Sequence, residues 1–283
     1  MSHVLHRTLN GEIPVISGAD GNYLIDDTGR RYLDASGGAA VSCLGHTNAR
    51  VIDAIKNQLD KVSFAHTGVF SNTPAEDLAS YLIENAPDGF GNGRAMFLGS
   101  GSEAMEAALK LARQYHVERG DEKRAKIIAR DKSYHGNTLG ALATGGHKGR
   151  QKPFAPLLID VAHIPPCYAY RYKNDDETTA EFGLRIANEL EKEILKQGPE
   201  NVAAFVAEPV SGASLGAEPA VKGYFKRIRE ICDQYDVLFI ADEVMCGMGR
   251  TGYLFAMEAE DACPDIITIA KGLGAGYQPI ASV

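Results

Sequence analysis

A single lysine follows a short apolar run near the end of the chain. Residues 266–269 are rich in β-branched side chains, which is typical of a buried strand, and Lys271 stands where that run meets a glycine-rich turn. An ammonium group at such a place loses hydration unless it is paired or its amine is used in a covalent bond. A lysine that reaches solvent from the strand end is the simpler interpretation, and Lys271 alone does not decide between the two.

A second apolar run, residues 237–241, ends in two carboxylates. Asp242 lies 29 positions before Lys271, which is enough chain to return a neighbouring strand to the same sheet edge. In open α/β sheets, ligands bind at the carboxyl ends of strands. A carboxylate paired with a pyridinium nitrogen, together with a lysine bonded to an aldehyde, is how proteins hold pyridoxal phosphate. Asp242 and Lys271 are therefore candidate residues for a pyridoxal phosphate site.

A turn of small residues, 99–104 (GSGSEA), precedes a predicted helix. Free backbone amides at a helix start bind phosphate, helped by the helix dipole. The same residues match G-x-G-x-x-A, so a nicotinamide-dependent oxidoreductase is an alternative, and a plain helix cap without a ligand is another. The oxidoreductase needs a ribose-binding acid about 20 residues further on, at the end of the next strand. Glu118 and Asp121 lie near that distance but precede the strand predicted at 126–129, which counts against it.

Two further loops place polar side chains at predicted strand ends. Tyr134 and His135 follow the strand at 126–129, and Glu208 follows the strand at 202–207. A tyrosine can stack on a planar ring, a contact worth about 0.5–1.5 kcal/mol beyond the area it buries. A tyrosine in a loop and a solvated acid at a strand end are also ordinary features. These residues therefore indicate a binding site only together with the other motifs.

Composition excludes several classes of protein. The chain has 283 residues, of which 45% are hydrophobic, and can bury a large core. A net charge of −8 and a pI near 5.5 argue against a nucleic-acid partner, which would need clustered basic residues. No window approaches the roughly 18 apolar residues of a membrane helix, and residues 1–11 are too polar for a secretory signal. We therefore predict a cytoplasmic protein with no membrane partner.

Cysteine and histidine spacing gives no metal-binding pattern. The five cysteines show no C-x-x-C pair, and the eight histidines show no H-x-x-x-H or H-E-x-x-H pair. We therefore predict neither a disulfide framework nor a metal site.

The order of the segments predicts an α/β fold. Turn sequences at 20–22 and 27–29 indicate a small antiparallel β segment within residues 13–35. Strands and helices then alternate, which indicates a mostly parallel sheet covered by helices on both faces. The predicted strands are 95–98, 126–129, 157–161, 202–207, 237–241 and 266–269. The predicted helices are 74–85, 102–118, 178–196 and 221–235, with an earlier one behind Asn48 as a cap.

Five motifs occur in a characteristic order. They are 101–104 (GSEA), 134–136 (YHG), 208–210 (EPV), 242–244 (DEV) with 247–252 (GMGRTG), and 270–273 (AKGL). Over roughly residues 13–283 the chain resembles a class III aminotransferase, a fold-type I enzyme dependent on pyridoxal phosphate. Within that family it is most similar to the ω-amino acid:pyruvate transaminase branch.

The resemblance implies a role for each matching residue. Lys271 would form the imine with the cofactor and move the proton of the substrate carbon, and Asp242 would keep the pyridine nitrogen protonated. Tyr134 and Val244 would pack on the two faces of the ring, and Gly101 and Ser102 would take the phosphate. The residues implied to bind the cofactor are Gly101, Ser102, Tyr134, His135, Glu208, Asp242, Val244 and Lys271.

The resemblance also implies how this chain sits within a larger protein. Residues 1–47 would be the N-terminal segment of a small domain, and residues 48–283 would be a large cofactor-binding domain that is incomplete at its C-terminal end. A C-terminal domain, with the substrate-carboxylate arginine, would follow Val283. We expect the full-length protein to be a homodimer with shared active sites, and the 283 residues alone to be inactive.

Three departures from the family bear on the substrates. Met245 stands where the family often has glutamine, Ala213 stands where relatives that use 2-oxoglutarate often have a glutamate, and Ala39 and Ala40 stand near the usual aromatic position. We therefore predict an ω-amino acid or amine as donor and pyruvate as the preferred 2-oxo acid. A decarboxylase or aminomutase of the same fold is an alternative, because the residues that hold the ring are shared, and a non-catalytic binding protein is a further one.

Overall fold

The N-terminal turn sequences produce a three-stranded antiparallel sheet, as predicted. In the computed structural model, which describes residues 3–8 and 11–283, β2 (Tyr23–Asp26) pairs with β1 (Ile16–Asp20) and with β3 (Arg31–Leu33). The turns between these strands use Gly21 and Gly29 at φ values of 57° and 86°, a left-handed conformation that glycine adopts without a steric cost.

Two helical segments follow this sheet, α1 (Gly37–Ala40) and α2 (Ala49–Leu59). The Asn48 side chain caps α2 by accepting a hydrogen bond from the Val51 amide, as the sequence predicts. The residues up to Phe64, together with 275–277, form one compact unit. The predicted boundary between residues 47 and 48 separates the domains that the family resemblance implies, and it stays a prediction.

The second compact unit comprises Ala65–Gly274 and Gln278–Val283. Its centre is a five-stranded parallel sheet in the order β11-β10-β7-β5-β6. The remaining strands of the chain are β4 (Phe97–Leu98), β5 (Lys126–Arg130), β6 (Val161–Ile164), β7 (Val202–Ala207), β8 (Val210–Ser211), β9 (Glu218–Pro219), β10 (Leu238–Asp242), β11 (Ile266–Thr268) and β12 (Ala281–Ser282).

Helices surround this sheet. They are α3 (Thr73–Glu84), α4 (Gly101–Glu118), α5 (Leu139–Thr144), α6 (Lys148–Gln151), α7 (Ala169–Tyr172), α8 (Thr179–Gln197) and α9 (Tyr224–Tyr235). Four 3₁₀ segments add to them: Lys152–Leu157, Pro199–Asn201, Ala256–Ala259 and Lys271–Leu273. Within residues 3–8 and 11–283, no helix combines the length and apolarity that crossing a bilayer requires.

The sheet has an apolar core on each face, which confirms the predicted layer order. On one face, Phe205 and Phe239 pack with buried residues of α8 and α9, and the two rings stack at 6.1 Å. On the other face, Val206 and Ile240 pack with the buried side of α4. Alternate residues of β7 and β10 thus enter opposite layers, as expected when helices cover both faces of a parallel sheet.

Two predicted strands differ from the structure. The strand predicted at 157–161 is wrong: Lys152–Leu157 is a 3₁₀ segment that contains Pro156, Leu157 is exposed, and β6 begins only at Val161. Proline fixes φ at about −65°, which suits a 3₁₀ turn, so the extended chain begins only after this segment. The strand at 95–98 exists as β4, but it pairs antiparallel with β12 rather than joining the parallel sheet.

Candidate active site

The carboxyl ends of β7, β10 and β11 bring three predicted site residues to one sheet edge. Glu208 follows β7, Asp242 ends β10, and Lys271 comes three positions after Thr268, which lies opposite Asp242 in the parallel register. Polar groups collect at this edge because the apolar strands themselves are buried between the helix layers. Asp242 and Lys271 therefore lie at one sheet edge, as their spacing in the sequence predicts.

Asp242 is buried, and both of its carboxylate oxygens take part in hydrogen bonds. Its Oδ2 lies 2.7 Å from His135 Nδ1, and its Oδ1 accepts hydrogen bonds from the Val244 amide at 3.0 Å and from Thr268 Oγ1 at 3.4 Å. Within the described residues, His135 Nε2 is buried and has no hydrogen-bond partner. A histidine that donates from Nδ1 fixes the orientation of the carboxylate, as in other sites where a buried acid needs a defined geometry.

Lys271 has an unusual backbone and an unusual environment. Its φ is 41°, in the left-handed region that a residue with a Cβ atom rarely adopts, and such strain is commonly found at functional sites. Burial lowers the pKa of the Lys271 amine, while the nearby carboxylates of Asp242 and Glu208 act in the opposite direction. Its ammonium forms no ion pair with any carboxylate that the structure describes. A lysine in this state is closer to the neutral amine that attacks a carbonyl.

The start of α4 packs tightly against the strand ends. A Cβ atom on Gly101 would lie 2.8 Å from Val244 Cγ1 and 3.4 Å from Ala270 Cβ, so only glycine fits there without a shift. The first amides of a helix have no partner within the helix and point outward. Gly101 and Ser102, the first two residues of α4, therefore present such amides close to Val244 and to Ala270, the residue that precedes Lys271.

The loop after β5 is closed onto α4 by a second close contact. Gly136 has a φ of 137°, and a Cβ atom there would lie 2.5 Å from Ser102 Oγ. Ser102 Oγ accepts a hydrogen bond from the Asn137 amide and donates one to Asn137 Oδ1, both at 3.1 Å. The loop that carries Tyr134 and His135 is thereby held against the helix start.

Glu208 holds the backbone of Tyr134. Its Oε1 accepts a hydrogen bond from the Tyr134 amide at 3.0 Å, and its Oε2 accepts one from the Gly212 amide at 2.9 Å. Burial raises the pKa of the Glu208 carboxyl above its ordinary value. The structure thus brings Glu208 and Tyr134 together, as it does His135 with Asp242 and Gly101 with Val244.

Sequence reasoning missed Arg130, a buried arginine at the end of β5. Its guanidinium donates to the Glu208 carbonyl oxygen and, at 3.1 Å, to Ser211 Oγ, and it lies 5.8 Å from the ring centres of both Tyr224 and Phe225. The available signal was a charged residue closing an otherwise apolar strand. Arg130 thus contacts the backbone of Glu208, and its own carbonyl oxygen accepts a hydrogen bond from Ser133 Oγ at 2.7 Å in the loop that carries Tyr134 and His135.

The structure bears on two further expectations from the sequence. In the part of the chain that it describes, His116, Asp121 and Asp236 form one group with metal-ligand spacing, but Asp236 is 3.1 Å from the Arg119 guanidinium, which competes with a cation. The absence of a metal site stays a prediction. The dinucleotide alternative needs β4 in a parallel β-α-β unit, and the antiparallel pairing of β4 with β12 contradicts it.

Comparison with known families settles the kind of protein. The family model described as Aminotransferase class-III matches residues 8–283. The chain belongs to the class III aminotransferases. The resemblance predicted from the five motifs is confirmed, and the parallel sheet with its helices is the fold type I of these enzymes.

Relatives of this class III aminotransferase include proteins of fungi, plants and bacteria. An uncharacterized aminotransferase of Schizosaccharomyces pombe is 50% identical over 281 residues, 99% of this chain and 61% of the relative. Gamma aminobutyrate transaminase 3 of Solanum lycopersicum, a chloroplastic protein, is 40% identical over 95% of this chain and 52% of the relative. The chain therefore spans between half and two thirds of the length of these relatives.

A solved structure of an omega transaminase is also similar to this chain. The omega transaminase of Pseudomonas jessenii, in complex with PMP, superposes with a TM-score of 0.90 at 36% identity, covering 95% of this chain and 59% of that one. Pyridoxal phosphate is the cofactor of the family.

The residues of this class III aminotransferase fit pyridoxal phosphate. Asp242 offers a buried carboxylate for a ring nitrogen. Lys271 offers an amine that forms no ion pair among the described residues. The first amides of α4, at the tight contact where only glycine fits, are available to a phosphate. The buried, unpartnered Nε2 of His135 is a further polar atom that a ligand could engage. The implied roles of the individual residues remain predictions.

Proposed function

We propose that the full-length protein transfers an amino group from an ω-amino acid or amine to a 2-oxo acid, with pyruvate as the preferred acceptor. The observation that carries this proposal is the shared sheet edge of Asp242, held by His135 at 2.7 Å, and Lys271, whose amine pKa burial lowers. A buried acid and a partly desolvated lysine at adjacent strand ends are what pyridoxal phosphate chemistry needs.

Pyridoxal phosphate, when bound, supplies the electron sink that stabilises a carbanion at the substrate carbon. Asp242 would keep the ring nitrogen protonated, since an ionised carboxylate favours a proton on its partner. Lys271 would provide the amine for covalent attachment, and the same amine would then carry the proton of the substrate carbon. The lowered pKa favours this second task, because a general base works best with a pKa near the working pH.

Positioning residues support these two groups. His135, the Val244 amide and Thr268 fix the Asp242 carboxylate, so it need not reorient during the reaction. Glu208 fixes the Tyr134 backbone, which would place the tyrosine ring against one face of the cofactor. Val244, in contact range of Gly101, would cover the other face beside the phosphate.

The acceptor preference rests on the absence of an acid at position 213. A site that alternates between a dicarboxylic acid and a substrate without a second carboxylate needs a cation together with an acid that neutralises it. Here position 213 is Ala213, and the Met245 side chain fills the space beside the preceding residue: a Cβ atom on Gly212 would lie 1.6 Å from Met245 Cε. The names of the relatives, a gamma aminobutyrate transaminase and an omega transaminase, support an amino group at the far end of the donor.

Two further proposals concern the whole protein. We expect a homodimer with shared active sites, because the family resemblance implies one, and a cytoplasmic location stays a prediction from composition. Sedimentation of the full-length protein tests the first of these, and a stable, active monomer would contradict it.

The decisive experiment is an assay of the purified full-length protein with both acceptors. We expect visible absorbance from lysine-bound cofactor, amino transfer without carbon dioxide release, and a kcat/KM for pyruvate that exceeds that for 2-oxoglutarate. A tenfold preference for 2-oxoglutarate, about 1.4 kcal/mol of transition-state binding, would overturn the acceptor proposal. Stoichiometric carbon dioxide release would instead indicate the decarboxylase alternative.

A further inference from the structure

The backbone of Lys271 has a conformation that a residue with a Cβ atom disfavours. Its φ of 41° persists only if the surrounding chain holds it there. Lys271 begins a 3₁₀ turn, in which the Leu273 amide donates to the Ala270 carbonyl oxygen at 2.9 Å. The Gly274 amide donates to the Lys271 carbonyl oxygen at 3.2 Å. Because such turns form at φ values of about −50° to −70°, these two hydrogen bonds do not explain the positive φ, and packing must contribute.

The residues on both sides of Lys271 contact other parts of the chain. Before it, Ile269 exchanges two backbone hydrogen bonds with Ser282, each 2.9 Å long. After it, Gly272 lies against Met248: a Cβ atom at Gly272 would be 3.0 Å from Met248 Cβ and 3.6 Å from the Met248 carbonyl oxygen. The chain around Lys271 is therefore held by a β-bridge on one side and by Met248 on the other.

Met248 has a well-defined position of its own. Its φ is 58°, its amide donates to the Leu254 carbonyl oxygen at 2.7 Å, and the Gly249 amide donates to the Tyr253 carbonyl oxygen at 3.1 Å. Its side chain is partly buried against the core cluster on one face of the sheet. Close-packed groups transmit strain instead of absorbing it, so Met248 can keep the turn after Lys271 in place.

We propose that Met248 is a positioning residue for Lys271: its contact with Gly272 holds the turn in which the lysine backbone is left-handed, and thereby places the amine near Asp242 and Glu208. This inference rests on the proposed amino transfer, because the Lys271 amine acts in that reaction. A displacement of a reacting group by about 1 Å can slow a step by about 100-fold. A contact at the neighbouring residue is therefore enough to affect the rate.

The test adds a methyl group on one side of the contact and removes the side chain on the other. In the full-length protein, Gly272→Ala should lower kcat of the proposed amino transfer by about 5- to 10-fold with KM changed less than about twofold, because the added Cβ pushes the turn away from Met248. Met248→Gly, which suits a φ of 58°, should lower kcat by about 3- to 10-fold, because the turn loses its support. In the Met248→Gly background, Gly272→Ala should lower kcat by less than about twofold, since the Cβ that it would meet is gone.

Gly136→Ala provides the matched control. Its added Cβ would also disturb the candidate site, but it would lie 2.5 Å from Ser102 Oγ and 2.9 Å from Ala141 Cβ instead of meeting Met248. Its effect on kcat should therefore be the same with and without Met248→Gly, as for substitutions that share no contact. Equal effects of Gly272→Ala in the two backgrounds, or wild-type kcat in Met248→Gly, would overturn the inference.

Amide hydrogen exchange separates this inference from the proposed function, because it needs neither cofactor nor substrate. In the cofactor-free full-length protein, the Leu273 and Gly274 amides should exchange about tenfold faster in Met248→Gly than in the wild type, relative to the amides of β7. If this difference appears but the wild type transfers no amino group, the proposed function fails and the positioning contact stands. If the two amides gain no more exchange than β7, the inference fails.

Discussion

At the scale of single residues, the candidate site depends on Asp242 and Lys271, whose surroundings differ. Asp242 is buried but accepts hydrogen bonds from an amide, a hydroxyl and an imidazole, which together stabilise a carboxylate. Lys271 is half-buried, and burial lowers the pKa of its amine. The carboxylate is thus held in a fixed orientation, and the amine is closer to the neutral form that attacks a carbonyl.

Replacing Lys271 with alanine should abolish amino transfer and the visible absorbance of lysine-bound cofactor. Lys132 offers a matched control, because it is also a lysine after a strand end with a positive φ, 57°, but is exposed. Borohydride reduction followed by peptide mapping should place the cofactor on Lys271 in the wild type and in Lys132→Ala. Label on Lys110 or Lys148 would show that the anchor was assigned to the wrong lysine.

Asp242→Asn should leave the fold largely intact and slow proton abstraction by at least about 100-fold, since loss of one buried charged partner is worth several kcal/mol. The asparagine oxygen can still accept from the Val244 amide, but its amide group would face His135 Nδ1 and force that ring to accept instead of donate. Single-turnover kinetics measure the effect. Near-normal turnover at normal cofactor content would exclude the role given to Asp242.

At the scale of elements, the start of α4 is the most constrained turn of the site. Ser100 caps the helix by accepting from the Glu103 amide at 3.2 Å, and Glu103 accepts from the Gly99 amide at 2.9 Å. Gly101 then meets Val244 and Ala270 with no room for a side chain. The start of α4, the segment after β10 and the segment after β11 therefore pack together at Gly101.

Gly101→Ala should lower the free energy of unfolding by about 1–3 kcal/mol, because an added methyl group in a tight contact forces its neighbours apart. The same shift should weaken cofactor retention, since the α4 amides move with the backbone. Urea unfolding and cofactor content after gel filtration measure the two effects. Gly18→Ala is the control, because its Cβ would meet nothing within 4 Å, and wild-type values for Gly101→Ala would contradict the packing argument.

At the scale of the whole molecule, several buried acids make stability depend on pH. Glu243 is fully buried, and burial raises the pKa of its carboxyl to about 7, while its oxygens accept from the Ala256 and Met257 amides. Burial also raises the pKa of Glu260 to about 7 and that of Glu208 above its ordinary value. These acids lie in one compact unit and act in the same direction.

The free energy of unfolding should therefore fall as pH rises from about 4.5 to about 7. In that window the folded protein binds more protons at Glu243 than the unfolded chain does, so raising the pH favours unfolding, by about 3 kcal/mol for this residue. Glu243→Gln should make the decline shallower, whereas Glu122→Gln, at an exposed position, should not. Urea unfolding of the full-length protein at several pH values measures the slope, and equal slopes in the wild type and Glu243→Gln would refute the assignment.

The layer order of the sheet and helices, and the places of Asp242 and Lys271 at strand ends, could be predicted from sequence patterns. Strand β7 is predicted by an apolar run of six residues, and helix α8 by an amphipathic segment with a capping residue. Each of these signals lies within the element that it predicts. The same logic places Asp242 and Lys271 at one edge, because parallel strands end together. Which side chains contact each other at that edge depends on the three-dimensional packing of the elements.

His135 reaches Asp242 over 107 positions and Arg130 reaches Glu208 over 78, and no local pattern encodes either pair. The antiparallel pairing of β4 with β12 is likewise a contact between distant segments. Such contacts arise from packing of the helix layers and from the satisfaction of buried polar groups, which depend on three-dimensional neighbours rather than on sequence spacing.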